Sequence, residues 1–448
     1  MITAKAFAGK HYAVLGLARS GLATVAALLA SGAKVTAWDS NPEVVENLGT
    51  NGLVFANLDE ADLTCFDSIV VTPGLPLNRH PIAGRAREAG VEIIGDIELF
   101  ARARPELPPH KVVGITGTNG KSTTTALVHH ILQTAGVPSL MGGNVGLPIL
   151  AQEPLPEGGV YVLELSSFQI DLTQSLDCDV AVLLNITPDH LDRYESFEAY
   201  AASKARLFEM QTEGRWSVFG EGEPVDVLCN AYNQRGGREV VWIDNSFEEI
   251  LGTTVFDGKA SIFGQKVGLQ QEWPSLQGSH NAQNAAAAMA VAHALELTIT
   301  KMAEAMHTFP GLPHRMERIR EVGGVAFVND SKATNAEAAA PALAAYPKVR
   351  WIVGGQAKGE TLGQTADHLD HVVAAYTIGE AGPMFARLLR EAGVNVVECE
   401  TLENAVKRAA EDSQAGETVL LSPASASFDQ FRDFEERGDK FRLLVGAL

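Results

Sequence analysis

The chain has 448 residues, of which 35 are basic and 55 acidic, so its formal net charge at pH 7 is −20. So acidic a surface repels nucleic acids and anionic membranes, and an anionic ligand would need a locally built site. Four scattered cysteines argue against a disulfide framework or a zinc site, and the absence of a leader or a long apolar run predicts a cytoplasmic protein.

The first segment alternates strands and helices. "HYAVL" predicts a buried strand ending near Leu15, a helix follows from about Ser20 to Ala30, and "SIVVTPGL" and "VEIIGDIELF" supply further strands. This alternation predicts a mainly parallel sheet, and we assign residues 1–95 to a first, Rossmann-like domain. The stretch "ARARPELPPHK", with proline and mixed charge, predicts a linker to the next domain.

A glycine turn, "GLARSG", follows the first strand. Gly16 and Gly21 match two positions of a dinucleotide-binding turn, and Asp39 ends the next strand, where a ribose-binding acid belongs. Ala18 replaces the middle glycine, which favours another phosphorylated nucleoside over a dinucleotide. A purely structural turn remains an alternative on these residues alone.

A second series of apolar strands begins at "KVVGIT" and continues in "GVYVLELSSF" and "CDVAVLLNITPDH". In open α/β sheets the binding crevice lies outside the carboxyl ends of the strands. We therefore expect residues 117–121, 164–167 and 185–190 to converge on one site. We assign residues 96–311 to this central, P-loop ATPase-like domain, including a small additional sheet that the Asp257-Gly258 hairpin pattern predicts.

The stretch "VVGITGTNGKSTTT" nearly matches a P-loop, with isoleucine where the pattern requires its first glycine. Gly117 and Gly120 permit turns that bring N–H groups toward phosphate oxygens, and Lys121 adds a positive charge. Ser122 or Thr123 can ligate Mg²⁺ at the helix N-terminus. Because strand, turn, lysine and helix coincide, we predict phosphate binding rather than an ordinary glycine-rich turn.

Glu164 and His190 follow two strand ends, with Asp189 beside the histidine. A carboxylate and an imidazole next to a nucleotide can hold Mg²⁺, which usually takes one or two protein ligands plus phosphates and water. A Pro-Asp-His turn is also a common capping turn. The residues alone leave both interpretations open.

Two predicted helices carry further polar candidates. Lys204 lies in "SFEAYAASKARLFEM", and its spacing alone is typical of a solvated helix lysine. His280 and Asn281 open an alanine-rich helix, where capping is the ordinary role. Asn284 lies one turn inside and can instead hydrogen-bond a base.

The strand and helix alternation resumes from residue 312, which predicts a third, Rossmann-like domain over residues 312–448. Three polar loops follow its apolar strands: "NDSKATN", "GGQAKG" and "LSPASASFDQF". Lys332 in the first loop and Lys358 in the second can meet carboxylates. Ser427 in the third lies in a comparable position, although serine-rich loops are usually only loops.

Together these motifs closely resemble the Mur ligase family. "GITGTNGKSTTT" is similar to its ATP loop, which departs from the P-loop in the same way. Within the family the chain resembles the D-glutamate-adding ligases through "GDIELF", "GGNVGLP", "LELSSFQI", "TPDHLDRY", "YAASKARLF", "LPHRME", "NDSKATN" and "LSPASASFDQFRDFEERGDKF". The resemblance covers nearly the whole chain and implies an α/β fold of three domains.

The resemblance implies functional residues at the matching positions. Those for ATP are Gly117, Thr118, Asn119, Gly120, Lys121, Ser122, Thr123, Asn281, Asn284, Arg315 and Asp330. Those for the uridine nucleotide sugar are Arg19, Ser20, Asp39, Ser40, Asn41, Thr72, Asn144 and His190. Those for D-glutamate are Lys332, Thr334, Lys358, Ser427 and Phe434. The metal ligands are Ser122, Glu164, His190 and Lys204, the last as an N-carboxylated side chain, and the catalytic residues are Lys121, Glu164, His190, Lys204, Arg315 and Lys332.

The reaction so implied is amide synthesis through an acyl phosphate, with ATP, Mg²⁺, UDP-N-acetylmuramoyl-L-alanine and D-glutamate. We expect a monomer without nucleic-acid or membrane partners. Three alternatives remain: a folylpolyglutamate synthetase-type ligase, which the complete first domain counts against; an NAD-dependent dehydrogenase built on "GLARSG"; and a non-catalytic nucleotide sensor. The sensor is disfavoured because Glu164, His190, Lys204 and Lys332 are all present.

Overall fold

The computed structural model describes residues 1–41, 53–189, 192–237, 239–243, 253–256, 258–357 and 359–448. The chain forms two compact units, Met1–Gly268 with Gln283–Ala305, and Leu269–Ala282 with Met306–Leu448. No helix in the described ranges is long and apolar enough to cross a membrane.

The first unit begins with a five-stranded parallel sheet in the order β3-β2-β1-β4-β5. Its strands are β1 His11–Leu15, β2 Lys34–Trp38, β3 Leu53–Phe55, β4 Ser68–Val71 and β5 Glu92–Ile94. Its described helices are α1 Arg19–Ala30, α2 Pro81–Ala89 and α3 Asp96–Ala103. The order, with β1 central and neighbours added on both sides, is the Rossmann-like arrangement that the sequence predicted.

The second sheet of this unit has six parallel strands in the order β11-β10-β9-β6-β8-β7. Its strands are β6 His110–Thr116, β7 Ser139–Gly143, β8 Gly159–Glu164, β9 Val180–Leu183, β10 Trp216–Phe219 and β11 Glu239–Trp242. Its helices are α4 Lys121–Thr134, α5 Ser167–Asp171, α6 Phe197–Glu209 and α7 Glu223–Arg235. Because β6 pairs with both β8 and β9, the ends of these three strands lie at one sheet edge.

The predicted linker "ARARPELPPHK" is an ordered part of the first unit. Helix α3 continues through Ala103, a 3₁₀ turn covers Arg104–Glu106, and β6 begins at His110. The Glu106 carboxylate accepts hydrogen bonds from the backbone N–H groups of Lys5 and Ala6, at 2.8 and 2.9 Å. One continuous apolar core runs beneath both sheets, from Ile2 to Tyr232, so they pack against each other without a free connector.

The predicted small sheet is present with strands β12 Thr253–Phe256, β13 Lys259–Ile262 and β14 Gln265–Leu269. Strands β12 and β13 pair antiparallel with Phe256 opposite Lys259, which confirms the hairpin, although Asp257 lies outside the described residues. Helices α8 Ser279–Ala294 and α9 Ile299–Thr308 follow.

The second unit contains a six-stranded sheet in the order β15-β16-β20-β17-β18-β19, in which only the edge strand β15 runs antiparallel. Its strands are β15 Glu317–Val322, β16 Val325–Asn329, β17 Val349–Gly354, β18 Val372–Ile378, β19 Val396–Glu400 and β20 Thr418–Leu421. Its helices are α10 Ala336–Ala344, α11 Gly382–Glu391, α12 Leu402–Asp412 and α13 Phe434–Gly446. Separate apolar clusters cover its two faces, as buried parallel strands require.

Candidate functional site

The glycine loop lies between β6 and the N-terminus of α4. Gly117 and Gly120 have φ angles of 152° and 83°, which favour glycine, and a Cβ at Gly120 would lie 2.2 Å from Asn284 Oδ1. Lys121 opens α4, and its ammonium donates to the carbonyls of Gly117 and Thr118, at 2.8 and 2.7 Å. The loop therefore presents a lysine charge at a helix N-terminus, an arrangement suited to phosphate.

Asn185, at the end of β9, holds the glycine loop in shape. Its backbone carbonyl accepts from Thr118 N–H at 2.9 Å, and its Oδ1 accepts from Asn119 N–H at 2.8 Å. Ser122 and Thr123 are half-buried on the first turn of α4. The structure thus brings the loop 117–121 and the β9 end together, as predicted from the strand order.

Lys204 is buried, in contrast to the solvated lysine that its spacing alone indicated. Its side chain is only 1% exposed, its Nζ donates to Gly117 O at 2.9 Å and lies 4.7 Å from the centre of the Tyr200 ring. Burial, reinforced by the nearby charge of Lys121, lowers the pKa of Lys204 to about 7. The Tyr200 hydroxyl lies 3.1 Å from Thr118 Oγ1, so lysine and tyrosine both contact the glycine loop.

Glu164 ends β8 and is 2% exposed. Its Oε1 accepts from Asn144 Nδ2 at 2.8 Å, whereas its buried Oε2 has no hydrogen-bond partner among the residues that the structure describes. A buried carboxylate oxygen without a donor is costly unless a cation meets it, so this side chain fits a metal ligand. His190 lies outside the described residues.

No group of three or more His, Cys, Asp or Glu side chains that could enclose a metal occurs among the described residues. Mg²⁺ does not require one, because it usually combines one or two carboxylates with water and substrate phosphates. Glu164 supplies one buried carboxylate of the kind that such a site uses.

The two helix asparagines occupy different surroundings. Asn284 Oδ1 accepts from Thr124 Oγ1 at 3.2 Å and lies against the glycine loop of the first unit. Asn281 belongs to the second unit, where its Nδ2 donates to Gln277 O at 3.0 Å. That bond runs back to the residue four positions earlier.

The turn after β1 is tightly built. Asp39 accepts from Leu17 N–H through Oδ2 at 2.6 Å and from Asn41 N–H through Oδ1 at 2.9 Å. A Cβ at Gly16 would lie 2.5 Å from Thr72 Oγ1. Asp39 therefore fixes the turn after β1 through Oδ2 and the segment after β2 through Oδ1, and its predicted contact with the nucleotide stays a prediction.

The remaining candidates for the nucleotide sugar surround the same turn. Helix α1 begins at Arg19, with Ser20 on its first turn, and Arg19 Nη2 donates to Gly146 O at 3.3 Å. Ser40 is exposed beyond β2. Since Gly146 belongs to the loop after β7, this bond connects the turn to the segment that carries Asn144.

Asp330 is a buried carboxyl of the second unit with a raised pKa. It is 7% exposed, accepts from Ser422 Oγ at 2.8 Å and from Met316 N–H at 3.2 Å, and follows β16. Burial raises the pKa of Asp330 from its ordinary value of 3.8 to about 7. Folding therefore favours the protonated form of this side chain.

We expect Asp330→Asn to stabilise the protein at pH 8. Because folding raises the pKa of the Asp330 carboxyl, the contribution of this side chain to stability falls as pH rises from the unfolded-state pKa toward the folded-state pKa near 7. Removing the charge should raise the free energy of unfolding by up to about 4 kcal/mol, the equivalent of three pKa units. Chemical denaturation at pH 8 and pH 5 measures this difference in unfolding free energy between variant and parent. At pH 5 the difference should be less than half of its value at pH 8.

The matched control for this change is Asp370→Asn, an exposed carboxyl of the same unit. It should leave the unfolding free energy within about 0.5 kcal/mol at both pH values. A destabilised Asp330→Asn protein at pH 8 would contradict the assignment of an electrostatic cost to the buried carboxylate.

Arg437 braces the loops around Asp330. It is 1% exposed, its Nε and Nη2 donate to Ser331 Oγ and O at 2.9 and 2.8 Å, and Nη1 donates to Ser425 O at 3.1 Å and Ala426 O at 3.3 Å. Burial lowers the pKa of Arg437 to about 10. One guanidinium thus joins the "NDSKATN" and serine-rich loops.

The candidates for D-glutamate lie on these loops. The ammonium of Lys332, an exposed residue, lies 4.6 Å from the centre of the Phe434 ring, and Ser331 Oγ donates to Phe434 O at 2.8 Å. Ser427 is buried and Thr334 is half-buried. Lys358 lies outside the described residues.

Arg315 is half-buried beside His314, which the sequence analysis did not select. The carbonyl of His314 accepts from Lys332 N–H at 3.0 Å, and its Nδ1 lies 3.1 Å from Asn329 Nδ2. A φ of 62° at His314 is uncommon for a non-glycine residue. His314 therefore positions the backbone of the loop that carries Lys332.

His314 and Arg437 are positioning residues that sequence reasoning missed. Asn185 lies in the range 185–190 that the strand pattern indicated, although no role was assigned to it. His314 and Arg437 occur in the quoted motifs "LPHRME" and "FEERG", but their spacing in the sequence does not predict which groups their side chains contact.

Three family models match the chain: Mur ligase MurD-like N-terminal domain over residues 10–95, Mur ligase middle domain over 115–292, and Mur ligase glutamate ligase domain over 314–425. Among curated proteins, it is 58% identical to the UDP-N-acetylmuramoylalanine–D-glutamate ligase of Novosphingobium aromaticivorans, over 100% of this chain and 97% of that protein. The ligase of the same name from Zymomonas mobilis is 54% identical, over 100% of both chains.

Solved structures share the fold at low identity. MurF ligase from Thermotoga maritima in complex with ADP has a TM-score of 0.58 and 18% identity, over 98% of this chain and 96% of that one. Escherichia coli FolC, in complex with DHPP and ADP, has a TM-score of 0.55 and 20% identity, over 79% of this chain and 93% of that one.

Proposed function

The chain belongs to the Mur ligase family, and on that basis we propose that it joins D-glutamate to UDP-N-acetylmuramoyl-L-alanine at the expense of ATP. It is an ATP-dependent ligase of peptidoglycan precursor synthesis. The observation that carries this conclusion is the full-length identity with curated UDP-N-acetylmuramoylalanine–D-glutamate ligases. The glycine loop, the buried Glu164 and the loops of the second unit supply chemistry of the required kind.

The chemistry begins with activation of a carboxylate, because an ionised carboxylate does not accept amine attack at neutral pH. An oxygen of the L-alanyl carboxylate attacks the γ-phosphorus of ATP, the bond to the β-phosphate oxygen breaks, and ADP leaves. The D-glutamate amine then attacks the acyl carbon, and inorganic phosphate leaves as the amine loses a proton. Each step concentrates negative charge on phosphate or carbonyl oxygens, where fixed positive groups lower the barrier.

We propose that the glycine loop, residues 117–123, holds the ATP phosphates. Lys121 supports this role because two loop carbonyls fix its ammonium at the helix N-terminus, where both charge and dipole favour anions. Asn281, Asn284, Arg315 and Asp330 are the proposed contacts to the rest of the nucleotide. The position of Asn284 against Gly120 supports its part in this proposal.

We propose Ser122, Glu164, His190 and Lys204, the last as a carbamate, as residues that hold Mg²⁺. Bound Mg²⁺ would supply positive charge to phosphate oxygens during transfer. The partnerless Oε2 of Glu164 supports the proposal. For Lys204 the support is its burial and its lowered pKa, since CO₂ adds only to a neutral amine and converts the cation into an anionic ligand.

For D-glutamate we propose Lys332, Thr334, Lys358, Ser427 and Phe434. The Phe434 ring supports the proposal because an aromatic ring attracts an ammonium and can orient the Lys332 side chain. Ser427 supports the proposal as a buried hydroxyl, able to donate to a carboxylate in a dry site.

For the uridine nucleotide sugar, we propose binding through Arg19, Ser20, Asp39, Ser40, Asn41 and Thr72. The residues proposed at its acyl end are Asn144 and His190. The helix N-terminus at Arg19 supports the diphosphate position. The net charge of −20 supports the further proposal of a cytoplasmic monomer without nucleic-acid or membrane partners.

Family membership removes the dehydrogenase alternative. The folylpolyglutamate synthetase-type alternative shares the fold, as the likeness to FolC illustrates, but at 20% identity that likeness speaks for the fold alone. A first domain matched over residues 10–95 by the MurD-like model favours the muramoyl substrate.

Amine selectivity tests this function. We expect phosphate release from ATP with UDP-N-acetylmuramoyl-L-alanine to require D-glutamate, and kcat/KM with L-glutamate, L-lysine or meso-diaminopimelate to be at least about 100-fold lower, because a misplaced carboxylate leaves buried polar groups unpaired. Each amine is supplied in turn, with a reaction lacking any amine as the control. Preferred turnover with another amine would overturn the assignment.

A further inference from the structure

A polar clasp joins the first two sheets of the first unit. It consists of residues 74–79, in the loop after β4, and of Asp192 and Arg193. Arg193 Nη2 donates to Leu75 O at 2.8 Å and Nη1 to Gly74 O at 3.4 Å. In return, Asn78 Nδ2 and Arg79 Nη2 both donate to Asp192 O, at 3.1 and 3.0 Å.

The inner side of the clasp is aromatic. The Arg193 guanidinium carbon lies 4.2 Å from the centre of the Phe168 ring, which stacks on the Tyr194 ring with 5.9 Å between centres and a 10° interplanar angle. Tyr194 in turn donates from its hydroxyl to Asp171 Oδ2 at 2.8 Å and lies 3.3 Å from Ser203 Oγ. Arg193 therefore contacts the loop after β4 on one side and Phe168 of helix α5 on the other. Tyr194 makes the contact with Ser203 of helix α6.

These elements carry groups from both ends of the proposed nucleotide-sugar site. The loop after β4 begins at Thr72, which touches the Gly16 turn. Helix α5 follows Glu164 by three residues, and α6 carries Lys204 beside Ser203. The clasp thus joins the chain segments that carry the uridine end and the acyl end of the proposed site.

We propose that Arg193 is a positioning residue that sets this separation, so that a nucleotide sugar held on the first sheet places its acyl carboxylate at the second. This inference rests on the proposed function. Arginine suits the task because its planar guanidinium can stack on Phe168 and donate to two carbonyls at once, which a lysine ammonium cannot reproduce. A cavity of about 220 Å³ beside the clasp, lined among others by Leu77 and Leu172, leaves room for the loop to shift when these contacts are lost.

The test is a comparison of KM values in Arg193→Lys. We expect the KM for UDP-N-acetylmuramoyl-L-alanine to rise about 10- to 100-fold, because a nucleotide sugar held at both ends binds less tightly when the spacing of those ends no longer matches its length. The KM values for ATP and D-glutamate should stay within about twofold of the parent protein, because the ligands of those sites do not include clasp residues. A merely structural contact would not separate the three substrates in this way.

Two further variants make the test decisive. The double change Asn78→Ala with Arg79→Ala removes the reciprocal bonds and should raise the same KM, and combining it with Arg193→Lys should be less than additive, since both act through one clasp. Arg206→Lys is the matched control: its guanidinium donates to two carbonyls, those of Asp171 and Thr173, on the second-sheet side alone, so all three KM values should be unchanged.

The inference is overturned if folded Arg193→Lys protein keeps its nucleotide-sugar KM, or if kcat/KM falls equally for all three substrates together with the melting temperature. Failure of the proposed function would look different. The parent protein itself would then release no phosphate in response to D-glutamate.

Discussion

Lys204→Arg is expected to abolish ligase activity, with a fall in kcat of about 1,000-fold or more, because arginine cannot form the carbamate proposed to hold Mg²⁺ and keeps a permanent positive charge. Lys204 is suited to carbamate formation by its burial, which lowers its pKa to about 7 and leaves much of the side chain as neutral amine. An arginine at this position cannot become neutral and cannot take up CO₂. The measurement is steady-state phosphate release at saturating substrates.

Two additional substitutions at position 204 distinguish the effect of removing the positive charge from the effect of supplying a carboxylate. Lys204→Gln is neutral and should be as inactive as the arginine variant, whereas Lys204→Glu supplies a carboxylate and should retain more activity than either. Lys301→Arg serves as the control, since Lys301 is an exposed helix lysine paired with Glu304. Near-normal turnover in Lys204→Arg would refute the role as a metal ligand.

Glu164→Gln is expected to lower kcat about 100- to 1,000-fold and to raise the Mg²⁺ concentration needed for half-maximal rate. Glutamine keeps an acceptor for Asn144 Nδ2 but places a neutral amide where the partnerless Oε2 lies. Because an unpaired buried carboxylate is costly, the melting temperature should stay the same or rise. Activity titrated with Mg²⁺ and thermal unfolding without Mg²⁺ provide the two readouts.

Glu195→Gln removes the same charge from an exposed position and should change neither readout. Loss of activity in Glu164→Gln accompanied by a lower melting temperature would identify a structural role for Glu164 instead. An unchanged Mg²⁺ requirement would equally contradict its part in holding the metal.

Much of the fold was predictable from local pattern. Apolar runs such as "HYAVL" and "VVGIT" became parallel strands, and the polar residues at their ends gathered at one sheet edge because β6 lies between β8 and β9. The hairpin signal of "FDGK" likewise marked the antiparallel pair β12 and β13. These features depend on residues close together in the chain, where hydrophobic period and turn chemistry act directly.

Contacts between segments that are distant in the sequence could not be predicted from local pattern. Spacing assigned Lys204 to solvent, yet the side chain lies under the glycine loop, 87 positions away in sequence. The linker prediction for "ARARPELPPHK" overlooked the bonds from Lys5 and Ala6 to Glu106, about 100 positions apart. In the same way, no sequence pattern predicted that Arg437 would hydrogen-bond Ser331 and the serine-rich loop.

By itself, the amino-acid sequence determined the α/β class, the order of strands and helices, the glycine loop with its lysine, and, through the resemblance of its motifs, the family. Only the tertiary structure decided which polar groups are buried and what they contact. Examples are the unpaired carboxylate oxygen of Glu164 among the described residues, the desolvated amine of Lys204, the buried carboxyl of Asp330 with its raised pKa, and the hydrogen bonds of Arg193 in the clasp. The physical reason is that desolvation and long-range hydrogen bonding depend on what packs against a side chain from remote parts of the chain. Local periodicity reports only which face of an element is buried.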